Sequence, residues 1–415
     1  MGTRVLLLLM SLAAVGAAQE SKSSLDDLVQ EALRRNPEVL AAQKRYEAMR
    51  QRPSQESSLP DPMLSLGYNS TGAPIPGWGI GKDPVANAGV SVSQEFPFPG
   101  KRTLRGGIAA READAEFAQY LMTRLSVISR LKQAYHQLHH AYEMIDLMGR
   151  DRDLMRKILR ISEARYSVGK AAQQDVFKAQ TQISIMETRL ERSRRELRSN
   201  ELEINSLLNR PPDTPVVRPV ERTAEPMQVS LDDLMKQVRE DAPTLLREQK
   251  MIERTELALN LARKDYYPDY TVSGGYYTMA GMGTMYMARV DFKLPGSFWR
   301  KQRAGVAEQT ANVSAAKHSY DAANQTLSFR VKDGYLMAET SYRLMNMYST
   351  TVIPQASLAL ESSLNSYQTG AVDFLSVLMN FSTMVEYELN YHEEMVNYFI
   401  ALARLEEMTG VDLSK

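Results

Sequence analysis

The chain contains no cysteine among its 415 residues. Disulfide bridges are therefore excluded, and so is a lipid attached through an N-terminal cysteine. The formal net charge is zero, because 50 basic residues balance 50 acidic ones, and this balance does not favour nucleic acid as a partner. Beyond the first residues there is no run of about eighteen apolar residues, so the sequence predicts no membrane-spanning helix.

Catalytic motifs are also lacking. The sequence has no nucleophile elbow, no phosphate-binding loop and no zinc-spaced cluster. The feature closest to a metal site is the pair His136 and His140, one helical turn apart and followed by Glu143. His139 is expected to point elsewhere and no fourth ligand is visible, so we interpret these histidines as part of a solvated face. The sequence predicts no enzyme, no cofactor and no bound metal.

The N-terminus has the three parts of a secretory signal. A basic residue, Arg4, precedes an apolar run from Val5 to Met10, and small residues continue to Ala18. The apolar run is too short for an anchor helix. We expect a signal peptide over residues 1–18 and an exported chain.

The remaining sequence is an internal duplication. Residues 24–43 recur at 230–249, Pro60-Asp61 recurs as Pro268-Asp269, and 95–102 recurs at 291–298. Lys132, Tyr135 and Tyr142 correspond to Lys332, Tyr335 and Tyr342, and Tyr166 and Gly169 correspond to Tyr367 and Gly370. Because the matches keep their order, one unit has been duplicated. We predict a first unit over 19–208, a proline-rich linker over 209–229 and a second unit over 230–415.

Each unit is predicted to contain a helix, two strands, a very long helix, a glycine turn and a long returning helix. In the first unit the helices are expected over 24–57, 101–165 and 172–208. The returning helices carry a seven-residue apolar repeat, which is typical of a coiled coil. Gly169 and Gly370 would let the chain reverse. Each unit should therefore form a long antiparallel helical hairpin with its tip at the glycine.

The four predicted strands alternate an apolar, aromatic face with a small or polar face. This pattern suits a transmembrane barrel strand, but an ordinary soluble antiparallel sheet alternates as well. Four strands cannot close a barrel, and lipid does not tolerate an open edge, so a membrane-embedded sheet requires an oligomer. Met279, Met285 and Met287 fall on the face predicted to line the lumen. Thioethers suit Cu(I) or Ag(I), although we favour packing as their role.

A kinked joint connects the second strand of the first unit to its long helix. Pro97, Pro99 and Gly100 are predicted to redirect the chain from strand to helix. Lys101, Arg102 and Arg105 follow, and we expect them near lipid head groups at the periplasmic membrane boundary.

Together these features resemble the TolC-like outer-membrane efflux proteins over nearly all of the chain after the signal. The resemblance rests on the duplicated unit and on RYSVGKAAQQDVFKAQ (165–180), which is similar to the tip signature of that family. It implies a mainly α fold with a small transmembrane β portion, in which a homotrimer forms a β-barrel continued by an α-helical tunnel across the periplasm. The segment SQEFPFPGKR (93–102) is similar to the joint of the cation-efflux (CzcC/CusC-like) branch.

The function implied by this resemblance is a passive exit duct in the outer membrane of a Gram-negative bacterium. Its partners would be outer-membrane lipid, a periplasmic adaptor and an inner-membrane pump of the RND type, and heavy-metal cations would be its substrate. Adaptor contacts would be made by Arg165, Tyr166, Ser167, Val168 and Gly169, and in the second unit by Tyr367, Thr369 and Gly370. The family often places a pore-narrowing acid six residues after the tip glycine. Asp175 occupies that position here, whereas the second unit has Ser376 there and Asp373 nearby.

Two other functions remain open from the sequence. The same scaffold could serve as a duct for drugs or for polypeptides in type I secretion. From a different class, the chain could be a soluble periplasmic coiled-coil protein that never enters a membrane. Extraction that requires detergent and yields an oligomer would argue against the soluble protein.

Overall fold

The structure is a computed structural model that describes residues 24–72, 74–220, 223–279, 283–297 and 299–413. The expected signal peptide, 1–18, lies outside these residues. The first half contains α1 (Leu25–Arg35), α2 (Pro37–Met49), α3 (Arg52–Ser57), β1 (Met63–Asn69), β2 (Asn87–Phe96), α4 (Lys101–Ser167) and α5 (Gln173–Leu207). The second half contains α6 (Leu231–Asp241), α7 (Pro243–Lys264), β3 (Asp269–Met279), β4 (Gly283–Lys293), α8 (Lys301–Met347), a π segment (Tyr348–Val352), α9 (Ile353–Thr369) and α10 (Phe374–Thr409). The predicted mainly α fold with a small β portion is confirmed.

The single helix predicted over 24–57 is wrong, because the structure divides it into α1, α2 and α3. At Asn36 the side chain accepts a hydrogen bond from the backbone N–H of Glu38 (2.9 Å). Pro37 follows in the first turn of α2, where its missing N–H removes no helical bond. An asparagine cap followed by proline starts a new helix. The Asn36 amide also donates to the backbone oxygen of Leu207 (2.9 Å), which ties the bend to the end of α5.

The first hairpin agrees with its predicted bounds to within two residues. Its outgoing helix α4 has 67 residues, which corresponds to about 100 Å at 1.5 Å per residue. Such a length is far beyond what a globular core needs. Both hairpins share an apolar cluster toward their tips, formed by α4, α5, α9 and α10 and including Met155, Ile158, Met186, Leu360, Phe374 and Phe381.

Two further clusters repeat the same packing in the two halves. In the first, Leu25, Leu28 and Ala32 of α1 pack against α4 with Leu131 and Leu138. In the second, Leu234, Val238 and Ala242 pack against α8 and α10 with Val331, Ala338 and Leu405. Each short N-terminal helix buries its apolar stripe on the middle of a long hairpin, where the stripe adds to the core.

The sheet has four antiparallel strands in the order β1-β2-β3-β4. Its two central strands come from different halves of the chain, and Val92 of β2 lies opposite Gly274 of β3. β1 and β4 are left as the two edges. The sheet is therefore shared by both halves, and each half supplies one edge.

The described residues of the predicted linker, 209–220 and 223–229, contact the hairpins. Arg218 pairs with Glu143 (3.0 Å) and Asp146 (2.8 Å) of α4. Farther along, the hydroxyl of Tyr398 donates to the backbone oxygen of Glu225 (2.5 Å). The linker is thus attached to α4 of the first half and to α10 of the second.

Within the residues described, the π segment has no counterpart in the first half. The offset between repeat partners changes across it, from 200 for Tyr142 and Tyr342 to 201 for Ser162 and Ser363. Both serines are buried, so the equivalent faces are preserved. A π turn closes over five residues instead of four, and it can absorb the one extra residue of the second half.

Candidate functional site

The tips of the two hairpins are joined by the guanidinium of Arg165. It donates to the backbone oxygens of Tyr367 and Gln368, at 2.8 Å for Gln368, and to that of Lys170 at 3.2 Å. The same group lies over the ring of Tyr367, 4.6 Å from its centroid. Since Tyr367 and Gln368 lie in the last turn of α9, one arginine of the first hairpin holds the turn of the second.

Both tip glycines have the backbone conformation that the turn prediction requires. The φ angles are 71° at Gly169 and 87° at Gly370, a region in which side-chain-bearing residues are strained. The neighbouring tip residues Tyr166, Ser167, Val168 and Thr369 are exposed. The predicted tip is therefore an exposed turn in each half.

Tyr367 departs from the expected adaptor contact. It is only 2% exposed, its hydroxyl donates to Oγ of Ser162 (3.3 Å), and its ring meets that of Phe374 edge-on at 5.8 Å. Its repeat partner Tyr166 is 46% exposed. Because α4 and α10 enclose the Tyr367 ring, this side chain is part of the core and its assignment as a docking residue is corrected.

The two acids expected to narrow a pore occupy different positions in their helices. Asp175 lies in the first turn of α5. Asp373 caps α10, accepting hydrogen bonds from the backbone N–H (2.9 Å) and the hydroxyl (2.6 Å) of Ser376. These bonds hold the pKa of the Asp373 carboxyl below its usual value. A pore-narrowing role for either acid depends on neighbouring copies of the chain and stays a prediction.

The strand–helix joint is fastened to the second half by Lys101. Its Nζ donates to Oδ1 of Asp269 (3.0 Å) and to the backbone oxygen of Tyr267 (3.3 Å), and it lies 3.3 Å from a carboxylate oxygen of Asp265. Asp269 also accepts the backbone N–H of Phe98 (2.7 Å). Lys101 is 3% exposed. The start of β3 therefore encloses the Lys101 amine and neutralises it, so this amine is not free to bind a lipid head group, whereas the position of the joint at the membrane boundary stays a prediction.

The turn itself is formed by Pro97, Pro99 and Gly100, which separate β2 from α4. Gly100 has a φ of 90°, and a Cβ atom there would lie 3.0 Å from Cε of Lys264. Glycine is thus required by both the backbone and the close approach of α7. Arg102 follows, and its Nε donates to the backbone oxygen of Ser57 (2.8 Å).

The two faces of the sheet differ as the alternation predicts. One face exposes the apolar side chains Leu64, Leu66, Val90, Val92, Val272, Tyr276, Tyr286, Val290 and Phe292. Both tryptophans of the chain lie beyond opposite ends of the sheet, Trp78 in the β1–β2 loop and Trp299 after β4, and they are 68% and 76% exposed. An exposed apolar band with tryptophan at each end is typical of a protein surface in contact with a bilayer.

The three methionines share the opposite face. Met285 lies across from Tyr277, Met287 across from Gly275, and Met279 belongs to the same alternate set. Within the described part of the chain, no group of three or more His, Asp or Glu side chains is arranged to hold a metal ion.

The interpretation of the α4 histidines as part of a solvated face is wrong. His136 and His139 are buried, and the ring of His136 stacks on Phe399 of α10 at 4.3 Å. His392 of α10 reaches the same small cavity. Burial lowers the pKa of His140 to about 4, so this imidazole is uncharged near neutral pH. The sequence could not reveal this environment, because it arises where the second half packs on the first.

Among the helices of the described residues, none is both long enough and apolar enough to cross a bilayer.

Comparison with known proteins gives one family and several similar structures. The model of the family described as outer membrane efflux protein matches residues 28–210 and 234–411. A membrane protein from Pseudomonas aeruginosa has a similar structure, with a TM-score of 0.82, 16% identity, and coverage of 93% of this chain and 90% of that one. The outer membrane protein VceC from Vibrio cholerae has a TM-score of 0.80 and 17% identity, with coverage of 94% of this chain and 97% of that one. CusC, described as forming a transmembrane channel, has a TM-score of 0.76 and 14% identity, with coverage of 93% of this chain and 92% of that one. No curated protein sequence matches the chain.

Proposed function

The chain belongs to the outer membrane efflux protein family, and from this premise we propose that it is the exit duct of a tripartite efflux system. As a member of this family it is a passive channel and not an enzyme. The duct would lie in the outer membrane of a Gram-negative bacterium and extend into the periplasm. A periplasmic adaptor and an inner-membrane pump would deliver the substrate and supply the energy.

The observation that carries this proposal is the sheet with one apolar face and two open edges. An edge strand exposes unpaired N–H and C=O groups, which hydrocarbon does not tolerate. Three copies of the four-stranded sheet would place twelve strands in a ring, with β4 of each chain pairing with β1 of the next. In such a trimer the long hairpins would continue the ring as a tunnel.

The exposed tips support docking to an adaptor. Tyr166 and Val168 are 46% and 66% exposed at the end of the first hairpin. Neighbouring large apolar side chains that are exposed to solvent are typical of a surface that contacts another protein. We propose that they meet the adaptor with Ser167, Gly169, Thr369 and Gly370.

We further propose heavy-metal cations as the substrate. The main support is the similarity of SQEFPFPGKR (93–102) to the joint of the cation-efflux branch. The thioethers of the methionines on the face opposite the exposed apolar one are ligands for soft cations, a role secondary to their packing. Organic compounds or polypeptides are the alternative cargo.

The test is to delete the gene in its host and to challenge the strain with Cu, Ag, Zn, Co, Ni and Cd beside detergents, dyes and antibiotics. We expect sensitivity to metals alone, rescued by the wild type. Gly169→Val should not rescue, because its φ of 71° strains any side chain. Gly149→Ala is the matched control, since a Cβ at Gly149 meets nothing within 4 Å. Sensitivity to organic compounds with normal metal tolerance would refute the metal substrate but keep the duct.

A further inference from the structure

Where α4 of the first half packs against α10 of the second, Asp151 is buried and Glu388 is half-buried. Asp151 is 4% exposed, and among the described residues its Oδ2 has no hydrogen-bond partner. The Oε2 atom of Glu388 is likewise buried without a partner among those residues. A buried carboxylate without hydrogen bonds is strongly disfavoured relative to the neutral acid.

The charges around this pair do not compensate for its burial. Burial raises the pKa of Asp151 to about 7, Glu388 across the contact raises it further, and only Arg150 on the same helix opposes the shift. Burial also raises the pKa of Glu388. On α5, Glu187 interacts with Arg156 (3.4 Å) on the exposed side of the helices.

The other groups near the contact are apolar or uncharged. Met148 and Met155 flank Asp151 on α4, and α9 contributes Leu360 to the same cluster. Farther along the α4–α10 contact lie His140 and His392. Because burial lowers the pKa of His140 to about 4, this imidazole does not supply a balancing positive charge near neutral pH.

Glu388 also lies beside the irregular part of the second hairpin. The ring of its neighbour Tyr387 packs against that of Tyr348 in the π segment, with centroids 6.2 Å apart. The amide of Asn390 donates to the hydroxyl of Tyr348 (3.4 Å). The residues that flank Glu388 on α10 thus contact a segment whose helical hydrogen bonding is already non-standard, and such segments often mark functional sites.

We propose that Asp151 carries a proton where α4 packs against α10, and that this proton holds the two helices together. When the proton is lost, the Asp151 carboxylate lies charged in an apolar contact with Oδ2 unpartnered among the described residues, which disfavours the closed contact. α4 leads to the tip of the first hairpin and α10 leads away from the tip of the second. Asp151 is about five helical turns from Gly169. Loosening the α4–α10 contact at Asp151 therefore lets the second hairpin move relative to the first at that distance from the tip.

The direction of the pH effect follows from the raised pKa. In an opened contact Asp151 would titrate near its ordinary value of 3.8, whereas in the closed contact it titrates near 7. The closed contact therefore loses stability as pH rises from about 4 to about 7 and changes little above that. A single linked proton makes the opening constant rise about tenfold per pH unit inside this window.

Hydrogen exchange on the full chain in detergent tests the proposal. The opening constant of peptides covering 144–155 and 384–392 is obtained by dividing each exchange rate by its intrinsic rate at that pH. In the wild type we expect a rise of about tenfold per pH unit between pH 5 and 7, and a plateau above. The double variant Asp151→Asn/Glu388→Gln should show no slope.

The matched control is Asp153→Asn, because Asp153 is exposed and lies on the same helix; it should keep the wild-type slope. Infrared difference spectra give a second readout that does not depend on opening. At pH 6 a protonated-carboxyl band should be present in the wild type and weaker in Asp151→Asn. A slope that survives in the double variant, a slope that Asp153→Asn abolishes, or a missing band at pH 6 would each overturn the proposal.

Discussion

Deleting one residue from the second hairpin should have opposite consequences at two nearby positions. Thr350 is exposed within the π segment, and Ala359 is exposed within the regular helix α9. Removing Thr350 takes out the extra residue and lets α8 and α9 join as one α-helix. Removing Ala359 shortens a regular α-helix, which contains no extra residue that the deletion could take out. We expect ΔThr350 to fold with a stability close to that of the wild type and ΔAla359 to be severely destabilised.

The magnitude follows from helix geometry. One residue of an α-helix turns by about 100°, so ΔAla359 rotates one side of the break against the other by that angle. Leu360 and Tyr367 are 5% and 2% exposed and would leave the core if the tip side rotates. Exposing these two side chains costs about 4 kcal/mol. ΔThr350 exchanges π hydrogen bonds for α ones and should change the free energy of unfolding by less than about 1 kcal/mol, within the range of ordinary surface changes.

The assay is the temperature at which detergent-solubilised protein loses its helical circular dichroism, compared among the wild type and the two deletions. Rescue of the deletion strain provides a functional readout of the same pair. If ΔThr350 loses as much stability as ΔAla359, the extra-residue account of the π segment is refuted. The same holds if ΔAla359 is as stable as the wild type.

Three other predictions concern the joint, the tip and the proposed pore. Lys101→Met should destabilise the fold by about 3 kcal/mol, because it leaves Asp269 without its buried partner; thermal melts should show this, and adding Asp269→Leu should recover part of the loss. Arg165→Met should remove the bonds to the end of α9, about 2 kcal/mol in all, and limited proteolysis should then cleave the tip near Tyr367 faster, whereas unchanged cleavage would contradict the bridging role. Asp175→Asn should reduce cation selectivity in planar bilayers, measured as the reversal potential in a salt gradient, and an unchanged potential would argue against an acidic constriction.

The sequence was sufficient for the architecture because the architecture depends on repeated local signals. The seven-residue apolar repeat of the returning helices, the turn glycine Gly169 and the alternation in β2 each indicate one element at a time. The break at Asn36 was missed although its signal was present. An asparagine followed by proline marks a helix start, but the apolar periodicity across it outweighed that signal.

The environment of the site residues could not be predicted in the same way. Tyr166 and Tyr367 occupy equivalent positions in the repeat, yet one is exposed and the other is buried. The burial of Lys101, and of His136 on α4, likewise depends on which part of the second half packs there. One further signal was readable, since the repeat offset grows by one residue between Tyr342 and Ser363.

The central pairing of β2 with β3 has a genetic consequence. Each chain offers one strand edge from its first half and a different one from its second. In the proposed trimer, copies would therefore join unlike edges, and every contact would be head to tail. A chain whose β1 cannot pair would still bind the β1 strand of a neighbouring chain through its own β4. Its unpaired β1 would then leave the ring open. Such an allele would act dominantly over a normal gene copy, because one defective chain removes its normal neighbours from complete rings.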